Sequence, residues 1–272
     1  MTEQSGHLNI ARIMARRRAR KIRGGLLYMA VLVLVVWSVE ATIIADTEWD
    51  RIGSVSQVIE STLRFFAVDW SILRSLVKPA LETLMIACLG TLLGVITCIP
   101  VAWFGALNIT PFKPITYPLA RFMMTLSRSI HEIVWALIFV AGVGLGSFAG
   151  VLAIAMRSVG FIAKMASEAI EDIDKEQVEA IRAVGGNGVQ VVRYAILPQV
   201  LPVVIGVIIF EWEINIRRSA VLGLVGAGGL GLAFFRQMNT FNYPGVTTVI
   251  LAILALILLG EVLSYFSRRA VI

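Results

Sequence analysis

Val178-Glu179-Ala180-Ile181-Arg182-Ala183-Val184-Gly185-Gly186-Asn187-Gly188, followed within ten residues by Leu197-Pro198, is the most informative stretch of this chain. It belongs to a polar segment, residues 167–188, that opens acidic with Glu168, Glu171, Asp172, Asp174, Glu176 and Glu179. Ile170, Ile173, Val178, Ile181 and Val184 recur at near-helical spacing, which predicts short amphipathic helices. The glycines around Asn187 then stop the helix and turn the chain. A short helix whose apolar face is unfilled by its own chain needs a partner groove, whereas a solvated connector needs none.

On both sides of this segment the chain is apolar. Of its 272 residues 58% are hydrophobic, and the mean hydropathy is +0.83. A soluble domain is closer to half apolar. The excess is gathered in runs of roughly 20 residues, the length that crosses about 30 Å of hydrocarbon. Six spans are predicted, at residues 26–45, 79–106, 120–143, 148–166, 189–212 and 244–266. Pro79 suits a helix start and Pro100 predicts a kink. Residues 55–66, in the polar stretch 46–78, read as an amphipathic segment lying on the membrane surface. The segment 213–243 reads as glycine-rich and mixed.

The net charge of +6 is concentrated at the start, in Arg12, Arg16, Arg17, Arg18, Arg20, Lys21 and Arg23. Such a cluster can bind nucleic acid. Beside an apolar run it instead holds the N-terminus in the cytoplasm and meets anionic lipid. The run that follows is too long for a signal-peptide core and has no Ala-x-Ala site, so it is expected to remain as a helix. Lys113, Arg121, Lys164, Lys175, Arg182, Arg268 and Arg269 fall on the same side, and Asp46, Glu48 and Asp50 on the other. Six spans with both termini cytoplasmic satisfy this pattern, with Arg217, Arg218 and Arg236 as exceptions that fall outside or within the membrane. The expected organisation is a basic segment 1–25, a first span with an external segment 26–78, and a transmembrane domain 79–272 with a cytoplasmic loop at 167–190.

Charged side chains within hydrocarbon cost about 2.5–3.5 kcal/mol each on insertion scales, yet several occur. Arg128, His131 and Glu132 lie in the third run, Arg157 in the fourth and Glu211 and Glu213 in the fifth, with Asn215, Arg217 and Arg218 just beyond. On a continuous helix Arg128, His131, Glu132 and Trp135 share one face. Either these groups form buried pairs that fasten helices, such as Arg157 or Arg218 with Glu132 or Glu211, or the cations line the route of an anion and the carboxylates keep it from binding too tightly.

Several motifs are excluded by context. Gly226-Ala227-Gly228-Gly229-Leu230-Gly231 has the letters of a dinucleotide fingerprint but sits between two apolar runs with no βαβ unit. Its glycines suit a tight re-entrant turn or close helix packing. His131-Glu132 begins like a zinc-protease helix, but position 135 is Trp and the other histidine is His7, so no metal site is expected. Cys88 and Cys98 are about 15 Å apart on one helix and cannot bridge. The sequence contains no Gly-x-x-x-x-Gly-Lys-Ser/Thr, so no such phosphate cradle is present to hold ATP.

Glu179-Ala180-Ile181, three residues, Gly185 and then Leu197-Pro198 resemble the EAA loop of ABC importer permeases, with Ile181 in place of the second Ala and Ala195 in place of the usual Ile. Arg128-Ser-Ile-His-Glu-Ile-Val-Trp-Ala, Gly142-Val-Gly-Leu-Gly, Tyr194-Ala-Ile-Leu-Pro-Gln-Val-Leu-Pro and Trp212-Glu-Ile-Asn-Ile-Arg-Arg-Ser-Ala-Val-Leu-Gly extend the resemblance to the phosphonate permease family, from about residue 79 onward. It implies an all-α integral membrane protein of the inner membrane with the type I ABC importer permease fold. It further implies a non-enzymatic transport subunit moving phosphonate, phosphite, hypophosphite or phosphate by alternating access. The implied partners are a second copy, two ATP-binding subunits that carry ATP and Mg, and an external substrate-binding protein, with no cofactor in this chain. The ATPase contact implied is Glu176, Glu179, Ala180 and Gly185, with Leu197 and Pro198 opening the next helix. The alternative is a secondary anion transporter, which needs an ion-coupling site and usually internal repeats; none is evident between the halves.

Overall fold

The computed structural model describes residues 2–45 and 54–271, all of their regular structure helical. It divides into two units, one through residue 61 and one from residue 62 onward. In the first, α1 (Thr2–Val39) runs on through a π turn at Glu40–Ile44. Its Lys21–Ile44 portion is long and apolar enough to span a bilayer. α2 (Val55–Arg64) is strongly amphipathic, as its sequence predicts. The acidic residues at 46, 48 and 50, used above for orientation, lie outside the described residues.

In the second unit α3 (Leu73–Gly105) begins earlier than Pro79 suggests. The start is set instead by Asp69, whose Oδ1 accepts from Ser71 N at 3.0 Å and caps the turn Trp70–Ile72. Pro79 therefore sits inside the helix, and the Thr83 hydroxyl donates to its carbonyl at 3.0 Å. α4 (Lys113–Ser129) and α5 (Glu132–Val143) replace the single third span expected, and they meet at 93°. Ile130 and His131 are extended, and the His131 Nδ1 accepts from Ile133 N at 3.3 Å, capping α5. The Ser127 carbonyl, left over at the end of α4, accepts from Trp135 Nε1 at 3.4 Å. Local caps on both sides thus outweigh the continuous apolar pattern.

α6 (Ser147–Glu171) is the centre of the bundle, packed on α3, α4, α5 and on α9 (Leu197–Leu222). Small residues let it approach. A Cβ at Gly94 stands 2.8 Å from Ser158 Cβ, and one at Gly160 stands 2.5 Å from Ser127 Oγ and 2.7 Å from the Met124 carbonyl. Lipid offers no hydrophobic drive between helices, so this close backbone approach supplies the packing.

After α7 (Lys175–Ala183) and α8 (Gly188–Val191), a π turn at Val192–Ile196 leads into α9. α9 continues ten residues past the expected end at 212, so Glu213, Asn215, Arg217 and Arg218 are helical. Glycines at positive φ, Gly226, Gly228 and Gly229, make the turn into the short α10 (Gly229–Asn239), whose Leu230 N donates to Thr83 Oγ1 at 2.8 Å. α11 (Tyr243–Val271) completes the chain's helices. Among the described residues five helices are apolar and long enough to span, or six if the bent α4–α5 pair counts as one.

Candidate functional site

The turns before α6 and after α9 meet at one end of the bundle, where Gly146 N donates to the Gly226 carbonyl at 3.0 Å. Counting helical rise from that end, Glu132 and Arg157 lie about 15–17 Å down α5 and α6, and Arg218 about 6 Å from the end of α9. For Glu132 and Arg157 that is roughly half of a ~30 Å hydrocarbon core, and Arg218 reaches the same level through its Nε, 3.7 Å from Glu132, so these charges form a layer near mid-bundle.

Arg218 is tied firmly into this layer. Its Nη1 donates to Glu211 Oε1 at 2.7 Å and to Asn215 Oδ1 at 3.0 Å. Asn215 Nδ2 donates to Thr91 Oγ1 at 2.9 Å and Ser158 Oγ at 2.8 Å, and the Ser158 hydroxyl donates to Glu211 Oε1 at 3.1 Å. Glu211, Asn215 and Ser158 are fully buried. One network thereby joins α3, α6 and α9, as the buried-pair alternative anticipates. Glu132, at the start of α5, lies on the other side of Arg218, 3.7 Å from its Nε and 3.8 Å from the Nε of Arg157. Both separations exceed hydrogen-bond range. Arg157 Nη1 and Glu211 Oε2 are buried without a hydrogen-bond partner.

The bend between α4 and α5 changes the grouping expected from the sequence. Arg128 ends α4, whereas His131, Glu132 and Trp135 belong to α5, so the four do not share one helix face. His131 is 63% exposed, its Nδ1 3.8 Å from Glu132 Oε2. Glu213 faces another way: its Oε2 accepts from Ser264 at 2.6 Å and from Arg268 Nη2 at 2.8 Å, clasping α9 to α11. Arg217 is exposed beside a crevice of about 240 Å³ formed with α10 and α11.

Thr91, Ser158, Ser264 and Arg268 were not singled out by sequence reasoning. Short hydroxyl residues in an apolar run look like packing residues, and Arg268 reads as an orientation signal. Their one advance sign is spacing: Ser158 lies in the small-residue pattern of α6, opposite Gly94. Among the described residues no group of His, Cys, Asp and Glu is arranged to hold a metal.

At the other end of the bundle, Asp174 Oδ1 caps α7 by accepting from Glu176 N at 2.9 Å. Gly185, at φ +83°, ends it, with Gly185 N donating to the Arg182 carbonyl and Gly186 N to the Ile181 carbonyl, both at 2.9 Å. Only a residue without Cβ takes that conformation freely. Asn187 and Gln190 then cap α8 reciprocally at 2.8 and 2.9 Å. Leu197 and Pro198 stand in the first turn of α9, directly after the π turn.

The apolar face of α7 is not left open, contrary to the expectation. Ile173, Val178 and Ile181 pack on Ala106, Ile170, Val191, Ile196 and Val200 of the same chain. Glu176, Glu179 and Ala180 are exposed, as is Val184 at 83%. The Asp174 N–H donates to Gln199 Oε1 at 2.9 Å, tying the loop to α9. A cleft of about 790 Å³, lined in part by Trp103, Asn108, Lys175, Glu179 and Arg182, opens beside α7.

Residues 95–272 match the family of binding-protein-dependent transport system inner membrane components. The phosphite transport system permease protein PtxC of Stutzerimonas stutzeri is 34% identical over 276 residues, covering 97% of this chain and 98% of its own length. The phosphate-import permease protein PhnE of Mycolicibacterium smegmatis is 30% identical over 251 residues, covering 92% of this chain and 46% of its own length. Among solved structures, a chain of the inward-facing MetNI methionine ABC transporter aligns with TM-score 0.66 at 24% identity, over 75% of this chain and 100% of that one. With this helical architecture, that of a type I ABC importer permease, the chain belongs to the family of binding-protein-dependent transport system inner membrane components.

Proposed function

We propose that this chain is the permease subunit of an ATP-driven importer for a phosphorus oxyanion such as phosphite, phosphonate, hypophosphite or phosphate. The observation that carries the reading is the layer of guanidinium groups at mid-bundle, in a chain similar over nearly its whole length to a phosphite permease. Arg128, His131, Glu132, Arg157, Glu211, Glu213, Asn215, Arg217 and Arg218 are assigned to the walls and supports of the pathway. Cations there lower the barrier to an anion crossing hydrocarbon, and arginine offers paired donors to phosphoryl oxygens.

The chain acts with a second copy, two ATP-binding subunits and an external binding protein, with its termini in the cytoplasm. α7 is the contact for the ATP-binding subunit, through Glu176, Glu179, Ala180 and Gly185. Because its inner face is already packed and its ends are capped, α7 moves as a rigid piece with the start of α9, at Leu197 and Pro198. Closure of the ATP-binding subunits then tilts α9, and the paired permeases alternate between inward-open and outward-open states.

The test is uptake of phosphite, methylphosphonate and phosphate by cells carrying the permease with its ATP-binding subunit and binding protein, together with a ligand screen of that binding protein. Uptake is expected for at least one of the three and is lost when the ATP-binding subunit is deleted. Uptake that persists without it refutes the ATP-driven reading.

A further inference from the structure

The two arginines nearest Glu132 are not equivalent. Arg218 spends Nη1 on Glu211 and Asn215, at 2.7 and 3.0 Å, inside a network whose other members are fully buried. Moving it breaks contacts that hold α3, α6 and α9 together. Arg157 makes no hydrogen bond among the described residues, and its Nη1 is buried without a partner. Its side chain is 19% exposed, and among the described residues its sole carboxylate neighbour within 4 Å is Glu132, 3.8 Å from Nε.

A guanidinium has five donors in a planar fork that fits a tetrahedral oxyanion bidentately. Leaving such donors desolvated and unused is costly. Glu132 neutralises Arg157 at a distance without occupying its hydrogen-bonding positions, since 3.8 Å is beyond the range of an N–H···O bond. It sits at the first position of α5, just past the bend, and accepts no hydrogen bond that fixes it among the described residues.

We infer that Arg157 is the residue that takes the translocated oxyanion, that Glu132 is its built-in competitor, and that Arg218 is a positioning residue held by Glu211 and Asn215. The inference rests on the oxyanion reading above and refines which side chain touches the substrate. The arriving anion supplies the acceptors that Arg157 lacks, and Glu132 is displaced towards Arg218. When the anion leaves, Glu132 returns, so the site binds only weakly enough to release its cargo.

The experiment is equilibrium dialysis of phosphite, methylphosphonate and phosphate against the detergent-solubilised complex of permease and ATP-binding subunit. Arg157→Gln is expected to weaken retention at least about tenfold, equivalent to about 1.4 kcal/mol, and by more than Arg218→Gln does. Arg157→Lys, which keeps the charge but not the fork, weakens it less. Glu132→Gln shifts retention the opposite way, towards tighter binding, an effect that damage to packing does not produce. Arg218→Gln chiefly lowers the melting temperature. Size-exclusion profiles confirm assembly of each variant. If Arg218→Gln weakens retention more than Arg157→Gln, or Glu132→Gln weakens it, the assignment is overturned while the oxyanion reading stands. If the unaltered complex retains none of the three anions, both fall.

Discussion

Glu211→Ala tests whether the polar network at mid-bundle holds the helices together. Glu211 is fully buried, and its Oε1 accepts from Arg218 at 2.7 Å and from Ser158 at 3.1 Å. Truncation removes the close counter-charge and strands a guanidinium whose side chain is only 16% exposed. The remaining carboxylate, Glu132, is 3.7 Å from Arg218 Nε and makes no hydrogen bond to it. Removing one partner of a buried pair costs about 3–5 kcal/mol. At about 2–4 °C per kcal/mol for chains of 150–250 residues, the apparent melting temperature falls by roughly 6–20 °C. The assay is thermal unfolding of the purified protein in detergent, at one scan rate throughout, for Glu211→Ala, Arg218→Ala and the double variant. Replacing both members leaves no unpaired charge, so the double variant is expected to lose clearly less than the sum of the singles. A Glu211→Ala shift equivalent to under about 1 kcal/mol, or strict additivity, refutes the claim that this pair is a structural fastening.

Two further outcomes are expected. Glu179→Lys reverses a charge on the exposed side of α7; membrane insertion should be normal while ATP hydrolysis is uncoupled from uptake, as compared by surface labelling and parallel uptake and ATPase assays, and normal uptake removes α7 as the contact. Gly160→Ala places a methyl 2.5 Å from Ser127 Oγ and 2.7 Å from the Met124 carbonyl, where backbone has to give way; overpacking of this kind costs about 1–3 kcal/mol, read as a lower melting temperature, and an unchanged one shows that α4 and α6 separate freely.

The apolar runs were legible because hydrocarbon imposes a single length and a single chemistry on any helix that crosses it. The turns within the polar loop were legible for a different reason, although its start was not, since α6 runs on to Glu171, past the expected end at 166. Asp174, Gly185 and Asn187 act on their own backbone within a few residues, so their effect does not depend on distant parts of the chain. Pro79 misled because a helix start is decided by the nearest good cap, here Asp69.

What the sequence determined by itself is therefore the class of molecule, most of the apolar spans and the glycine turn that ends α7, all products of composition or local backbone chemistry. Tertiary structure alone decided which charges pair. Glu211 and Arg218 are seven residues apart on one helix, but Thr91, Ser158 and Arg268 join the network or its neighbour from other helices. It also closed the apolar face of α7 against its own chain and separated Arg128 from Glu132 by a 93° bend. Periodicity assigns a residue to a face of its own helix; the distance between donors and acceptors on different helices exists only once those helices have packed.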